Sequence, residues 1–300
     1  MNKIIITGTS GFVGQNLSSY LSNLYFSITS VSLRNLNWKS EIKGDAIIHL
    51  AGKAHDSKKT SVVSDYFEIN TNLTKDLFDA FLGSRIKVFI YFSSVKAVAD
   101  KVEEVLFEDV HANPETPYGQ SKWSAEKYIL SKEIPEGKRV FIIRPCMIHG
   151  PGNKGNLNLL FNLVKKGIPY PLGSFHNERS FLGIDNLNFL IKGILENKEI
   201  PSGVYNFADD EVLSTNELVR IISTVLNKRD RSIPIPKGII NGIAKVGDLI
   251  KFPLNSETVQ KLTENYRVSN QKIKDAIGID KLPNTAKEGL ERTIKSFVNK

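Results

Sequence analysis

Tyr118 and Lys122, in the run Tyr118-Gly-Gln-Ser-Lys122, set a phenol and an ammonium four residues apart on one helical face. An ammonium beside a phenol favours the phenolate, so Lys122 is expected to bring Tyr118 below its free pKa of about 10. Such a tyrosine can pass a proton to or from an oxygen while hydride moves at the adjacent carbon. Spacing alone proves little. With nine tyrosines and roughly one lysine in ten residues, about one such pair arises by chance. Tyr128–Lys132 is a second one. Position separates them: Tyr118 follows Asn113-Pro-Glu-Thr-Pro117, a loop entering a helix, and so stands at that helix's open start. Tyr128, about 80° round the same helix, lies deep in it and reads as packing. Ser94, 24 residues before Tyr118, ends an apolar strand-like run. Its hydroxyl can hold the reacting oxygen in line with Tyr118, although a serine at a strand end more often satisfies backbone groups.

Hydride needs a carrier, and the start of the chain offers a place for one. Ile4 to Gly14 reads Ile-Ile-Ile-Thr-Gly-Thr-Ser-Gly-Phe-Val-Gly. Three isoleucines in a row suit a strand buried on both faces. Gly8 then allows the tight bend, Gly11 lets the backbone approach a diphosphate, and Gly14 lets helix pack on sheet. Phe12 and Val13 open the helix, whose first amides and dipole favour an anion. Strand, glycine turn and helix in that order point to a dinucleotide.

The elements around these residues alternate. Strands are predicted at Lys3–Thr7, Ile28–Leu33, Ala46–Leu50, Val88–Ser93 and Arg139–Arg144, with helices at Phe12–Leu21, Val62–Leu82 and Gly119–Leu130. That rhythm is an α/β fold with a doubly wound parallel sheet, its ligands beyond the carboxyl ends of the strands. The glycine turn, His49–Gly52, Ser93–Ser94 and Pro145 all fall at those ends. Residues 1–150 are expected to be the dinucleotide-binding domain. After Gly150 prolines and glycines break the chain often, and helices are predicted at Asn156–Lys166, Asn186–Glu196 and Thr215–Leu226. Ser214–Glu217 and Thr285–Glu288 have capping-box spacing. Residues 151–300 are expected to be a smaller, mixed, mainly substrate-binding region. A segment near 185–226 returns to the first sheet, its strand at Val204–Phe207.

Bulk properties narrow the classes. A chain of 300 residues, 41% hydrophobic and 24% charged, is that of a globular protein with a large core. No apolar run reaches the ~18 residues of a membrane span, and no leader precedes Ile4, so a cytoplasmic protein is expected. One cysteine, Cys146, excludes an intramolecular disulfide and reads as a small buried hydrophobe. The net charge of +8 is spread without a basic block, which argues against nucleic acid and for attraction of a polyanionic ligand.

Together, Gly8…Gly11-Phe-Val-Gly14, Asp45-Ala-Ile-Ile-His-Leu-Ala51, Phe92-Ser-Ser94, Pro117-Tyr-Gly-Gln-Ser-Lys122 and Arg144-Pro145 resemble the extended short-chain dehydrogenase/reductases. These include nucleotide-sugar epimerases, dehydratases and 4-ketoreductases. The resemblance implies catalytic roles for Tyr118, Lys122 and Ser94, with Lys122 also on the nicotinamide ribose. It lays His49, Leu50 and Ala51 along the cofactor, with Pro145 nearby. His149-Gly-Pro-Gly, Lys154-Gly-Asn156, Pro171-Leu-Gly-Ser and Asn177-Glu-Arg-Ser-Phe181 resemble the substrate side of bacterial enzymes of surface-polysaccharide synthesis. Some of those form UDP-N-acetylquinovosamine. By that likeness Asn156 and Arg179 contact the UDP diphosphate, Arg179 as a forked, permanent cation; its bland alternative is a surface salt bridge. His149 stands where relatives often have tyrosine and is taken as packing or polar lining, not as a metal ligand. His55 is a candidate for the sugar pocket, against the commoner structural role of a lone histidine.

Three departures choose among the subclasses. Arg34, 20 residues after Gly14, stands where NAD enzymes usually carry an acid, and an arginine can accept a 2′-phosphate. NADP(H) is therefore favoured, with NAD(H) the alternative. Dehydratases of this family usually have an acidic pair after the residue matching Ser94; here Val95 and Lys96 follow, which disfavours dehydration. Val98-Ala-Asp100 differs from the Val-Tyr-Gly of many relatives. The leading expectation is an NADPH-dependent 4-ketoreductase acting on a UDP-4-keto-6-deoxy-N-acetylhexosamine. The runner-up is a UDP-hexose or N-acetylhexosamine 4-epimerase with tightly held NAD. A non-catalytic dinucleotide sensor is the alternative of another class, but such proteins typically lack the tyrosine or the lysine. A homodimer through Val62–Leu82 and Tyr118–Leu130 is expected by analogy with the fold.

Overall fold

Ile4, Ile5 and Ile6 are wholly buried because the strand Lys3–Thr7 is covered on either side. The computed structural model describes residues 2–53, 62–153, 155–250 and 255–298. In it Ile4 and Ile6 enter one core and Ile5 the other, as the two-residue period of a strand requires. Six parallel strands form the sheet in the order Ser27–Val31, Lys3–Thr7, Ala46–His49, Val88–Phe92, Arg139–Pro145, Gly203–Phe207. The order reverses at Lys3–Thr7, so a crevice opens beyond the carboxyl ends of Lys3–Thr7 and Ala46–His49. Helices Phe12–Asn23 and Ile184–Glu196 cover one face through Leu17, Leu21, Leu187 and Ile191. Helices Leu73–Leu82 and Pro117–Leu130 cover the other through Phe78, Phe81, Ala125 and Ile129. This is the doubly wound arrangement.

Several strands stop earlier than expected. Ser27–Val31 ends two residues before Leu33, Ala46–His49 before Leu50, and Val88–Phe92 before Ser93. Leu50 and Ser93 each keep one amide bond, to the carbonyls of Thr7 and Ile143, as the chain leaves the ladder toward the crevice. The expected single helix Val62–Leu82 is instead two α-helical pieces, Val63–Phe67 and Leu73–Leu82, joined by a π turn at Glu68–Asn72. Periodicity cannot foresee the extra residue, which turns Asn70 and Thr71 into the interior.

Beyond Gly150 a second apolar core forms around Phe161, Leu172, Phe181, Ile222, Leu290 and Ile294. A small mixed sheet, in the order Val212–Leu213, Arg179–Gly183, Met147–His149, lines it. Helix Thr215–Val225 packs into this core, whereas Ile184–Glu196 and Gly203–Phe207 belong to the first sheet's assembly. Both capping boxes close: Ser214 with Glu217, and Thr285 with Glu288 at the start of Ala286–Val298. His149 is fully buried between the halves. Thr293 gives its hydroxyl proton to the Gly289 carbonyl, so His149 Nδ1 donates to Thr293 Oγ1 at 2.9 Å while Nε2 faces Asp209 at 3.7 Å. No helix among the described residues is long and apolar enough to cross a membrane.

Candidate active site

The glycine turn has the shape its residues imply. Gly8 adopts φ +77°, and a Cβ there would stand 2.7 Å from the Ala51 nitrogen, so side-chain-bearing residues fit poorly. A Cβ on Gly14 would stand 2.2 Å from the Gly8 carbonyl oxygen. The first turn of the helix therefore lies directly on the loop, closer than helix-on-sheet packing alone demands. Gly11 is the N-cap and offers no capping side chain, which leaves the amides of Phe12 and Val13 facing outward. Such a turn fits a diphosphate. Arg34 is exposed, three residues past the end of Ser27–Val31.

A cleft of about 280 Å³ opens beside this turn. Its walls bring together Phe12, Val13, Leu50, Ser94, Tyr118, Lys122 and Pro145, residues scattered across 134 positions (12 to 145) of the sequence. Cys146 also lines it, its thiol pushed well up by burial.

Tyr118 reaches the cleft because the helix Pro117–Leu130 starts against the turn that follows Ser94. A Cβ on Gly119 would stand 2.3 Å from the Lys96 carbonyl oxygen, so only glycine allows that approach. Thr116 caps the helix, its hydroxyl accepting from the Gly119 amide. Asp100 fixes the incoming loop: its carboxylate accepts from the amides of Glu115 and Thr116 at 2.7 and 3.0 Å. Ser94 caps the short 3₁₀ turn Val95–Ala97 and shares a hydrogen bond with the Tyr118 side chain.

The electrostatics correct one expectation. Tyr118 stands above its ordinary pKa, because burial dominates; the Ser94 hydrogen bond acts the other way. Lys122 does not lower it here. Its ammonium donates to the Phe92 carbonyl at 2.8 Å and lies 5.0 Å from the centre of the Tyr91 ring. Burial pushes Lys122 down to about 8, with Glu126 one helical turn on opposing that shift. Tyr128 is also more than packing: its hydroxyl donates to the Asp79 carboxylate at the surface.

Sequence reasoning missed the buried polar residues that pack around Lys122. Asn70, turned inward by the π turn, accepts from the Lys53 amide and donates to Ser121 Oγ. Gly52 lets that group close up, since a Cβ there would stand 2.9 Å from Asn70 Oδ1 and 3.2 Å from Lys122 Nζ. Glu126 is wholly buried, held by Arg144 at 2.6 Å and by the Ser93 hydroxyl. An acid four residues after Lys122 was the one signal of this pair in the sequence; Asn70 gave none beyond a polar residue on an apolar helix face.

Arg179 donates to the Lys261 carbonyl at 2.6 Å and faces Glu264 at 3.9 Å. Asn156 is the first residue of the helix Asn156–Lys165, and its side chain lies outside the described set. His55 and Lys154 are likewise outside the described residues. Among the described residues no group of three or more His, Cys, Asp or Glu could hold a metal ion.

The profile of the NAD dependent epimerase/dehydratase family matches residues 4–208. A UDP-glucose 4-epimerase of Vibrio cholerae is 31% identical over 321 aligned positions, covering 98% of this chain and 95% of that protein. An N-acetyl-alpha-D-glucosaminyl-diphospho-ditrans,octacis-undecaprenol 4-epimerase of Escherichia coli O157:H7 is 27% identical over 98% of this chain and 95% of its own length. Among solved structures, RMD from Pseudomonas aeruginosa complexed with NADPH superposes with a TM-score of 0.77 at 22% identity, covering all of both chains. MoeE5 in complex with UDP-glucuronic acid and NAD gives 0.78 at 20% identity over 99% of each chain. These two likenesses concern the fold.

Proposed function

The chain belongs to the NAD-dependent epimerase/dehydratase family, and from that premise we propose that it reduces the 4-keto group of a nucleotide sugar. The substrate class is a UDP-4-keto-6-deoxy-N-acetylhexosamine, and the reductant is NADPH. The glycine turn with the amides of Phe12 and Val13 would hold the dinucleotide's diphosphate. Arg34 would meet the 2′-phosphate, Lys122 the ribose, and Leu50, Ala51 and Pro145 would flank the nicotinamide. Bound there, the dinucleotide supplies hydride. Ser94 orients the keto oxygen, and Tyr118 gives it a proton. Asn156 and Arg179 would hold the diphosphate of the sugar carrier.

One observation carries this reading: the Ser94 and Tyr118 side chains share a hydrogen bond in the cleft, with burial pushing the phenol above its ordinary pKa. A protonated phenol at rest is the state that reduction needs. Val95 and Lys96 offer no carboxylate for expelling a 6-hydroxyl, which supports reduction over dehydration.

A second reading, a 4-epimerase with tightly held NAD, is favoured by the name of the 31%-identical relative. One assay separates the two. Given the 4-keto sugar, a reductase consumes added NADPH, read as loss of its absorbance band. An epimerase copurifies with dinucleotide and interconverts UDP-glucose and UDP-galactose, or their N-acetyl forms, without net consumption. In either case Tyr118→Phe should cut kcat by about 10²–10⁴-fold and leave the thermal shift given by the dinucleotide in place. Undiminished turnover by Tyr118→Phe would remove the assignment.

A further inference from the structure

Helix Lys237–Ile250 carries more apolar surface than the fold covers. With Ile239 placed at zero and each residue advancing about 100°, buried Ile240, Ala244 and Gly247 fall between about 80° and 140°. Ile243 and Val246 fall within about 40° of Ile239, and Leu249 about 80° to its other side. All four are exposed, at 55% for Ile239, 43% for Ile243, 56% for Val246 and 84% for Leu249. Gly242 lies between them on this face, and a Cβ there would meet nothing within 4 Å. The polar sector that remains holds Lys237, Asn241, Lys245 and Asp248.

Positive charge lies at one edge of the face and before it in the sequence. Lys245 borders the face, Lys237 turns away from it to lie over the Phe175 ring, and exposed Lys228, Arg229 and Arg231 lie shortly upstream in the sequence, with exposed Ile233 between them and the helix. The nearby acids are engaged locally: Asp248 accepts from the amide and hydroxyl of Ser256, and Asp230 from those of Ser232.

We propose that this helix docks the protein on an anionic lipid surface, its isoleucine–valine–leucine face in the acyl boundary and Lys245 at the headgroups. A second copy suits the face less well. The helix is about 21 Å long and ~10 Å wide, some 200 Å² of contact against the roughly 800 Å² per partner of a stable dimer. At about 21 Å the helix is shorter than the hydrocarbon core of a bilayer, ~30 Å, so it lies in the interface and does not span it. The proposal goes beyond the reading of the cleft and does not depend on it.

The test is flotation of the purified full-length chain with vesicles of phosphatidylcholine alone or mixed with phosphatidylglycerol. The expected result is enrichment on the phosphatidylglycerol vesicles that weakens in high salt. The double variant Ile243→Ser/Val246→Ser should lower it by about tenfold or more, and Gly242→Leu should raise it. The dinucleotide-induced thermal shift should stay unchanged in both. Equal partitioning of wild type and variants, no preference for the anionic vesicles, or no binding at all would overturn the proposal. So would wild-type self-association that the double variant abolishes without any vesicle binding, since the face would then join two copies.

Discussion

At the scale of single residues, glycine does as much for this site as the polar side chains. Gly8, Gly14, Gly52 and Gly119 each stand where a Cβ would meet another group at 2.9 Å or less. At Gly8, Gly14 and Gly119 that group is backbone, which cannot swing aside; at Gly52 it is Asn70 Oδ1. Gly14 and Gly119 press the starts of two helices onto the loops that form the cleft. Gly14→Ala would place its methyl 2.2 Å from the Gly8 carbonyl oxygen and 2.7 Å from Thr9 Cα, so the helix start must move away from the turn. A displacement of that size should weaken dinucleotide binding by about 10²-fold, measured by titration of NADPH and NAD against intrinsic fluorescence. Unchanged affinity would mean that the turn does not hold the diphosphate. The sequence showed Gly8 and Gly14 through the spacing of a known turn. Gly52 and Gly119 carried no such signal, because the groups they admit come from distant parts of the chain.

At the scale of elements, His49 ties the strand Ala46–His49 to its neighbours. Its Nδ1 meets Thr7 Oγ1 at 2.7 Å, and its Nε2 meets Thr74 Oγ1 at 2.9 Å. Thr74 spends its hydroxyl proton on the Asn70 carbonyl, so Nε2 must be the donor and Nδ1 the acceptor. One neutral tautomer therefore satisfies strand, helix and π turn together. Burial, reinforced by the charge of Lys122, pushes His49 down to about 3. Between that value and the ordinary 6.5 the unfolded chain binds the proton that the folded chain refuses, so stability falls as pH falls through this window. The loss should approach roughly 1.4 kcal/mol per pH unit at its steepest. It is read from denaturant unfolding at pH 7 and pH 4.5, comparing wild type with His49→Gln. The advantage of wild type over the variant should shrink toward acid; a constant difference would show that His49 titrates normally. Strands and most helices were legible because alternation and apolar runs are local properties. The π turn at Glu68–Asn72 was not, because its extra residue answers to Lys53 and Ser121 across the cleft.

At the scale of the whole molecule, two cores must hold one cleft, and Tyr266 is a latch between them. Its backbone joins the strand Arg179–Gly183 through Glu178 and Ser180. Its hydroxyl reaches back to the turn after Ser94, 2.6 Å from the Ala99 carbonyl and 3.2 Å from that of Val95. Lys96 Nζ sits 4.4 Å above its ring and donates to the Asp100 carbonyl, while Asp100 holds the loop that leads to Tyr118. None of this was readable in advance: a tyrosine 167 residues from Ala99 meets that residue's carbonyl only once both halves have folded. Tyr266→Phe keeps the ring but leaves a carbonyl without its donor in a buried setting, a cost of about 1–3 kcal/mol. If the latch positions the Ser94–Tyr118 pair, kcat/KM for the nucleotide sugar should fall about tenfold, equivalent to ~1.4 kcal/mol at the barrier. Dinucleotide affinity should stay the same, because the glycine turn belongs to the first core alone. Stability lost with kcat/KM unchanged would make Tyr266 a fastener of the fold and nothing more. A parallel fall in dinucleotide affinity would mean that the two cores do not divide the ligands between them.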